Sequence, residues 1–336
     1  MVNLQSEFIE FHNAIKLSFD DNAELREKRD ILLNRLCNNI SEEAPSFDHF
    51  NQGSYAMHTG IKPDDGDYDI DVGLVFDLIR TECPDPLKVK QWVFDALDGH
   101  TKKVEIRRSC VTVTYQKDGE LAFHVDFACY ANEDDTLFIG KGRKEQNRSE
   151  RNWEQSAPKE LIKLMDTRFS NEQDRAQFRR IIRYMKKWRN QHFEVNTGNG
   201  APTGIALTAL AYDKYVPNYK YNAVTHETVY DDFGALKDFV IKTKDSFTLK
   251  YDLDSKSFYH GIEQQLFVTP RNNLFDKMTA KQQDNVYNEI CNMLAKLEEV
   301  EGKTRKSEAC SLMVEIFGEE FPVKTDRSYV GHSESA

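Results

Sequence analysis

The sequence lacks the features of several large classes of protein. Its six cysteines are scattered along 336 residues without a C-x-x-C pair, which argues against a disulfide framework and a structural zinc site. Its longest apolar run, residues 204–212, is far shorter than the ~20 residues of a membrane helix. The first residues contain neither the basic segment nor the apolar segment of a signal peptide. We therefore expect a cytoplasmic globular protein with no membrane partner.

Positive charge is also scarce. Lysine and arginine number 45 against 56 aspartates and glutamates, so the formal net charge is −11 at pH 7. A chain this acidic has no global basic face for duplex nucleic acid, and any site for a polyanion must be local. The sequence also has no Walker A motif, no kinase glycine-rich loop and no G-x-S-x-G element, which argues against three common classes of enzyme.

The hydrophobic pattern divides the chain into an N-terminal α+β domain over residues 1–165, a helical lobe over 166–318 and a tail over 319–336. Alternating apolar residues predict strands in the first domain, and residues 141–159, polar and locally basic, predict a loop. Apolar residues at helical spacing predict helices over most of the helical lobe. The predicted strands are 47–52, 70–76, 111–115 and 121–127, the last two joined by a turn at Asp118–Gly119; the predicted helices cover residues 8–19, a segment from Asp21, 86–99, 171–191, 203–215, 280–299 and 303–317.

Carboxylates interrupt two of the predicted strands. Asp69 and Asp71 are two residues apart, so both side chains point to one face, about 6.5–7 Å apart along the chain. An acidic pair on a strand is more often a solvated face than a metal site. Aspartate is a poor strand former, however, and its place inside a strong strand pattern is typical of a functional site. Asp126 lies on a later strand, opposite its apolar face, and the adjacent His124 is more typical of a packed or hydrogen-bonded histidine than of a metal ligand.

A glycine–serine pair follows the first predicted strand. Gly53 would let the backbone approach a phosphate, and the Ser54 hydroxyl with nearby N–H groups could hold it, although most such pairs are only turns. Combined with three carboxylates, the pair predicts phosphoryl transfer with two divalent cations. Hard oxygen ligands favour Mg²⁺ or Mn²⁺.

A cationic stripe is the last local feature. Its members recur at four, four and three residues on a predicted helix, which is typical of a solvated face but also suits contact with nucleotide phosphates. They are Arg175, Arg179, Arg183 and Lys186.

Several longer stretches carry a family resemblance. Gly53–Ser54, Asp69–Asp71 and Asp126 together resemble the signature of the polymerase-beta-like nucleotidyltransferases. The sequence as a whole resembles the bacterial cGAS/DncV-like nucleotidyltransferases (CD-NTases), and within them the DncV-like cyclic GMP-AMP synthases. The stretches that carry this resemblance are Gln52–Tyr55, Thr59, Pro63, Tyr68–Asp71, His124–Asp126, Arg183–Arg189 and Ala201–Thr203.

The resemblance implies a fold and an activity. The fold is α+β, with a polymerase-beta-like palm sheet, a helical second lobe and an active site between them. The activity joins two nucleoside triphosphates, ATP and GTP, into a cyclic dinucleotide that activates an effector in antiphage (CBASS) signalling, with two Mg²⁺ or Mn²⁺ ions. By the same resemblance Asp69, Asp71 and Asp126 are the catalytic, metal-binding triad, and the nucleotide-binding residues are Gln52, Gly53, Ser54, Tyr55, Ser156, Lys186 and Thr203.

The chain departs from the DncV pattern near the bases. Met57 replaces an aromatic residue, Thr112 stands where DncV has an arginine, and Ala157 replaces an acid. The resemblance therefore does not establish guanine selectivity for this chain. A linear oligonucleotide synthase or an RNA-tailing transferase of the same superfold stays open as an alternative, as does a catalytically silent nucleotide sensor or structural protein.

The tail has two interpretations. From residue 323 onward it has few apolar residues and no packing pattern, which is typical of disposable disorder. Some DncV-like enzymes are instead joined through their C-terminal carboxylate to a target amine by a ubiquitin-transfer-like ligase. The small last residue, Ala336, suits that partner.

Overall fold

The structure, a computed structural model, describes residues 2–17, 19–62, 68–117, 120–194, 200–224 and 226–324. As far as they are described, the residues form two compact units. The sheet unit comprises residues 16–169 and 266–272, and the helical unit comprises residues 1–15, 170–265 and 273–336.

A seven-stranded mixed sheet dominates the sheet unit. Five strands lie in the order β1-β2-β5-β4-β3, and β6 and β7 extend the sheet beyond the second half of β5. β2 and β5 are parallel, and all other neighbours are antiparallel. The strands are β1 (Phe47–Gln52), β2 (Tyr68–Phe76), β3 (Lys103–Ile106), β4 (Val111–Lys117), β5 (Glu120–Glu133), β6 (Thr136–Lys141) and β7 (Asn152–Ser156).

One face of this sheet is the hydrophobic core of the unit. Alternate residues of β2 and β5, such as Ile70, Val72, Val125 and Phe127, are fully buried on it. Helices α2 (Phe19–Asn39) and α4 (Pro86–Leu97) supply leucines and valines to the same core. Because side chains alternate along a strand, the intervening residues all point to the opposite face. A short helix α3 (Gly53–Ala56) follows β1, and α5 (Pro158–Thr167) follows β7.

Six helices and two hairpins form the described part of the helical unit. An aromatic cluster joins its first and last segments, because Phe8 and Phe11 of α1 pack against Tyr184, Phe317 and Phe321. The helices are α1 (Gln5–Ile15), α6 (Glu172–His192), α7 (Gly204–Lys214), α8 (Asp232–Lys244), α9 (Ala280–Gly302) and α10 (Lys306–Phe317). The hairpins pair β8 (Tyr219–Asn222) with β9 (Glu227–Tyr230), and β10 (Thr248–Asp252) with β11 (Ser257–Gly261).

A buried ion pair crosses the helical unit. Arg180 of α6 donates two hydrogen bonds to Asp232, at 2.6 and 2.8 Å, and Tyr184 and Gln177 donate to the same carboxylate. Burial alone would raise the pKa of the Asp232 carboxyl, but these hydrogen bonds and the charge of Arg180 hold it below its ordinary value. The ionised pair therefore stabilises the folded unit.

Four boundaries differ from the sequence prediction. Residues 1–15 belong with the helical unit because of the aromatic cluster. Helix α2 begins at Phe19, so Asp21 lies within its first turn. The stretch 141–159 is not only a loop, since β7 pairs with β6 inside it. The predicted tail is packed at its start, where Phe321 is fully buried.

The turn at 118–119 and residues 325–336 lie outside the described residues. Across the helices the structure describes, none combines the length and hydropathy that spanning a membrane requires.

Candidate active site

The polar face of the sheet carries one continuous row of side chains across five strands. Register pairs Gln52 with Asp71, Asp71 with Asp126, Asp126 with Thr112, and Thr112 with Glu105. Directly paired residues share a face of the sheet. On β2, β4 and β5 the residues on either side of the row are fully buried in the core, so the row lies on the face away from it.

Two of the predicted catalytic carboxylates are neighbours in this row. Asp71 of β2 stands directly opposite Asp126 of β5, on strands that lie about 4.8 Å apart. Asp69 lies two residues before Asp71 on β2. It is paired with His124 and lies on the same face of the sheet as Asp71. Within the described residues, no three histidine, cysteine, aspartate or glutamate side chains meet as a ready-made metal cluster. The structure therefore places all three carboxylates on one face, and their role as a metal triad stays a prediction.

Gly53 brings the backbone of α3 against this row. A Cβ atom built on Gly53 would lie 1.8 Å from Asp71 Oδ2, and the residue has a φ of +66°, a conformation that side-chain-bearing residues rarely adopt. Any other residue at position 53 would clash with the Asp71 carboxylate and strain the backbone. The site therefore places carboxylate oxygens beside the backbone of Gly53. Such oxygens are the ligands that a hard divalent cation prefers.

Asp126 is held by residues that the sequence analysis did not assign to the site. Thr112, fully buried on β4, donates from Oγ1 to Asp126 Oδ1 at 2.5 Å. Cys110 Sγ lies 3.6 Å from the same hydroxyl, and burial together with the charge of Asp126 raises the pKa of this thiol to about 12. His124, as predicted, is packed and hydrogen-bonded, with Nδ1 at 3.0 Å from Thr114 Oγ1.

A tyrosine that the sequence analysis missed joins two predicted nucleotide-binding residues. Tyr130 donates from its hydroxyl to Gln52 Oε1 at 2.7 Å, and Ser156 also hydrogen-bonds to Tyr130. Burial raises the pKa of Tyr130, so its hydroxyl stays protonated. Tyr130 ends an apolar strand pattern, and nothing in that pattern signals a polar role. Of the other motif residues, Ser54 accepts from the Thr59 N–H at 2.9 Å, and Tyr55 packs against the core.

Ser156 also lines a cavity of about 510 Å³ in the sheet unit. Its walls are mainly polar and include Asn132, Gln155 and Lys159. The volume falls within the range of small-molecule pockets. Lys159 places its ammonium 5.1 Å from the centre of the Phe50 ring, a cation–π distance.

The two remaining predicted residues lie in the helical unit. Lys186 of α6 is 6% exposed, and a Cβ atom on Gly204, the first residue of α7, would contact its Cε at 3.5 Å. Thr203 caps α7, because its hydroxyl accepts from the Ala206 N–H at 3.2 Å. The structure thus brings Lys186 to the start of α7. The stripe to which Lys186 belongs is not a fully solvated face, since Lys186 is buried and Arg175, Arg179 and Arg183 are half-buried.

Comparison with known proteins identifies the segment that contains this row. Residues 47–130 match the family model described as "Cyclic GMP-AMP synthase DncV-like, nucleotidyltransferase domain". The match covers a quarter of the chain and shows that this segment resembles a DncV-like nucleotidyltransferase domain. A curated Cyclic GMP-AMP synthase from Escherichia albertii is 30% identical over 169 residues, which cover 47% of this chain and 35% of that protein, so the match spans about a third of the relative's length.

Two solved structures are similar in fold to nearly the whole chain, and not only to the segment that matches the family model. Vibrio cholerae DncV, a cyclic AMP-GMP synthase described as a prokaryotic cGAS homolog, aligns with a TM-score of 0.69 over 95% of this chain and 97% of its own, at 16% identity. The Bradyrhizobium diazoefficiens CD-NTase CdnG in complex with GTP aligns with a TM-score of 0.70 over 95% and 96%, at 13% identity. These likenesses confirm the predicted α+β fold with its helical lobe.

Proposed function

We propose that the protein is a metal-dependent nucleotidyltransferase that joins two nucleoside triphosphates into a cyclic dinucleotide. The observation that carries this proposal is the cross-strand pair Asp71–Asp126, with the backbone of Gly53 against Asp71. A catalytically silent protein has no evident use for a glycine held in a left-handed conformation against a carboxylate. The pair also lies inside the segment that matches the DncV-like domain.

The negative charge on the polar face of the sheet argues for cations at the site. Asp69, Asp71 and Asp126 place three carboxylates on one face, and a triphosphate adds further negative charge. Like charges at such distances repel strongly in a partly desolvated site. Binding of the substrate therefore requires divalent cations held by these three residues. When bound, such cations supply Lewis-acid polarisation of the acceptor hydroxyl and neutralise charge on the departing pyrophosphate.

The chain's own residues bind and orient the donor nucleotide. The backbone at Gly53 and the hydroxyl of Ser54 bind its phosphates, and the Tyr130 hydrogen bond holds Gln52 in place beside them. In each step a ribose hydroxyl oxygen of the acceptor bonds to the α-phosphorus, the α–β phosphoanhydride bond breaks, and pyrophosphate leaves. The hydroxyl proton passes to an acceptor on the acidic face. A second, intramolecular step closes the ring.

The relatives suggest which nucleotides are used. The Escherichia albertii relative is named a Cyclic GMP-AMP synthase, and a Vibrio cholerae DncV structure holds the linear intermediate pppA(3′,5′)pG. We therefore propose ATP and GTP as the substrates and a cyclic GMP-AMP-like product. The role in antiphage signalling is proposed from the family resemblance of the sequence alone. Met57, Thr112 and Ala157 depart from the DncV pattern near the bases, so base selectivity is tested with all four nucleotides.

One incubation tests the proposal and its alternative. The protein is mixed with ATP, GTP, CTP and UTP and with Mg²⁺ or Mn²⁺, and the products are treated with phosphatase and measured by mass spectrometry. We expect a phosphatase-resistant cyclic dinucleotide, and its loss in a matched reaction containing EDTA. A phosphatase-sensitive linear oligonucleotide would instead identify a linear synthase, and the absence of turnover with every nucleotide would refute both.

A further inference from the structure

The inference concerns Thr112, the buried β4 member of the row on the polar face of the sheet. Thr112 stands directly opposite Asp126 in the antiparallel β4–β5 ladder, where paired Cβ atoms are about 4.5–5.5 Å apart. At this separation a hydroxyl one bond beyond Cβ reaches the carboxylate, and Oγ1 lies 2.5 Å from Asp126 Oδ1. The residue has no solvent exposure, whereas Asp126 is half-buried.

The direction of this hydrogen bond follows from the protons available. An ionised carboxylate only accepts, and a threonine hydroxyl has one proton to give, so Thr112 is the donor. Cys110 lies 3.6 Å from the Thr112 hydroxyl and also hydrogen-bonds to Asp126. Since the hydroxyl proton is already committed, the Cys110 thiol acts as donor in either contact. Thr112 and Cys110 are thus both hydrogen-bond donors, and the Asp126 carboxylate is the final acceptor.

The threonine side chain also has little freedom to turn. Its β-branch restricts the rotation about χ1, and full burial within the sheet unit restricts it further. A hydroxyl held in this way fixes the plane of the carboxylate that it contacts. The carboxylate has about four lone-pair positions, so the hydrogen bonds from Thr112 and Cys110 leave the group able to bind a cation.

We propose that Thr112 is a positioning residue for Asp126: its hydroxyl holds the carboxylate in the orientation that binds the divalent cation. The inference rests on the proposed function, because it assigns the cation to this carboxylate. Partners that orient a metal ligand in this way typically change metal affinity or activity by 10–100-fold when they are removed.

The test uses variants that differ by one hydroxyl. Thr112→Val keeps the shape of the side chain and removes the donor, and Thr112→Ser restores the donor without the methyl group. Thr114→Val is the matched control, because Thr114 is buried on the same strand and face but bonds to His124 instead of Asp126. Melting temperature and circular dichroism establish that each variant is folded.

The first readout is Mn²⁺ binding without nucleotide, followed by the electron paramagnetic resonance signal of free Mn²⁺. We expect Thr112→Val to weaken Mn²⁺ binding by about 10–100-fold. Thr112→Ser and Thr114→Val should bind as the wild type does, and Asp126→Asn should lose the site. In turnover, Thr112→Val should lower kcat and leave the KM for nucleotide unchanged.

The outcomes separate the inference from the proposed function. Equal Mn²⁺ affinity and kcat in Thr112→Val and the wild type would overturn the inference while leaving the enzyme intact. The inference also fails if the wild type binds no Mn²⁺, or if Asp126→Asn binds it unchanged. Wild-type Mn²⁺ binding that Thr112→Val weakens, without any nucleotide product, would support the positioning role and refute the proposed function.

Discussion

Replacing Gly53 by alanine tests the geometry of the site most sharply, because the structure gives the size of the conflict. The added Cβ would lie 1.8 Å from Asp71 Oδ2 and 2.7 Å from its Cγ, whereas ordinary contacts begin at 3.4 Å. The carboxylate or the α3 backbone must therefore move by about 1.6 Å, the difference between 3.4 and 1.8 Å. A misplacement of about 1 Å at a reacting centre can lower the rate by about 100-fold.

The same substitution also strains the backbone. Alanine at a φ of +66° costs roughly 1–2 kcal/mol of folding free energy relative to glycine. Gly99 separates this effect from the contact with Asp71. It has a φ of +73°, and a Cβ built on it meets no atom within 4 Å. Gly99→Ala therefore carries the strain without the clash.

The assay measures product formation and the free energy of unfolding for both variants. We expect Gly53→Ala to lose at least about 100-fold in kcat. Gly99→Ala should lose about 1–2 kcal/mol of stability and keep its activity. Near wild-type turnover by a folded Gly53→Ala variant would refute the interpretation that the backbone at Gly53 and the Asp71 carboxylate form one site.

Three further predictions concern other parts of the chain. Lys186→Ala should raise the KM for at least one nucleotide more than it changes the melting temperature; unchanged kinetics would contradict the predicted role of Lys186 in binding nucleotide. Asp232→Asn should destabilise the helical unit by about 3–5 kcal/mol in urea unfolding, because it leaves the Arg180 charge buried and unpaired. Because folding lowers the pKa of Asp232, its contribution to the free energy of unfolding is complete above about pH 4 and is lost on further acidification. The free energy of unfolding of the variant should therefore change less between about pH 5 and 2 than that of the wild type. Deleting residues 333–336 should leave dinucleotide synthesis unchanged and abolish conjugation in cells, if a ubiquitin-transfer-like ligase joins the C-terminal carboxylate of Ala336 to a target; unchanged conjugation would contradict that proposal.

Local patterns were enough to predict the strands that carry the carboxylates. Apolar alternation fixed which face of β2 and β5 is buried, and the odd placement of Asp69 and Asp71 in that pattern indicated the polar face. Long helices such as α6 and α9 were predicted for the same reason, since their apolar spacing is regular. The hairpins β8–β9 and β10–β11 were missed, because most of their residues are exposed on both faces and no alternation marks them.

Contacts between distant segments could not be predicted from these patterns. Thr112 meets Asp126 only because of the β4–β5 register, which a single sequence does not specify. Tyr130 meets Gln52 across 78 residues, and Arg180 meets Asp232 across 52. In the sequence, Tyr130 lies at the end of an apolar strand pattern and Arg180 lies within a charged helix, and neither setting indicates the distant partner. The departure at Thr112 was noted, but its hydrogen bond was not foreseen.

The most direct test of the central claim measures product formed from ATP and GTP by the wild type and by an Asp69→Asn, Asp71→Asn double variant. Asp48→Asn is the control, because Asp48 is an exposed aspartate on the adjacent strand β1. We expect the double variant to keep its melting temperature and to lose activity by several orders of magnitude, since amides bind Mg²⁺ poorly and cations contribute several kcal/mol to such transition states. The control should remain active. Product formation by the folded double variant at a rate near that of the wild type would contradict the account.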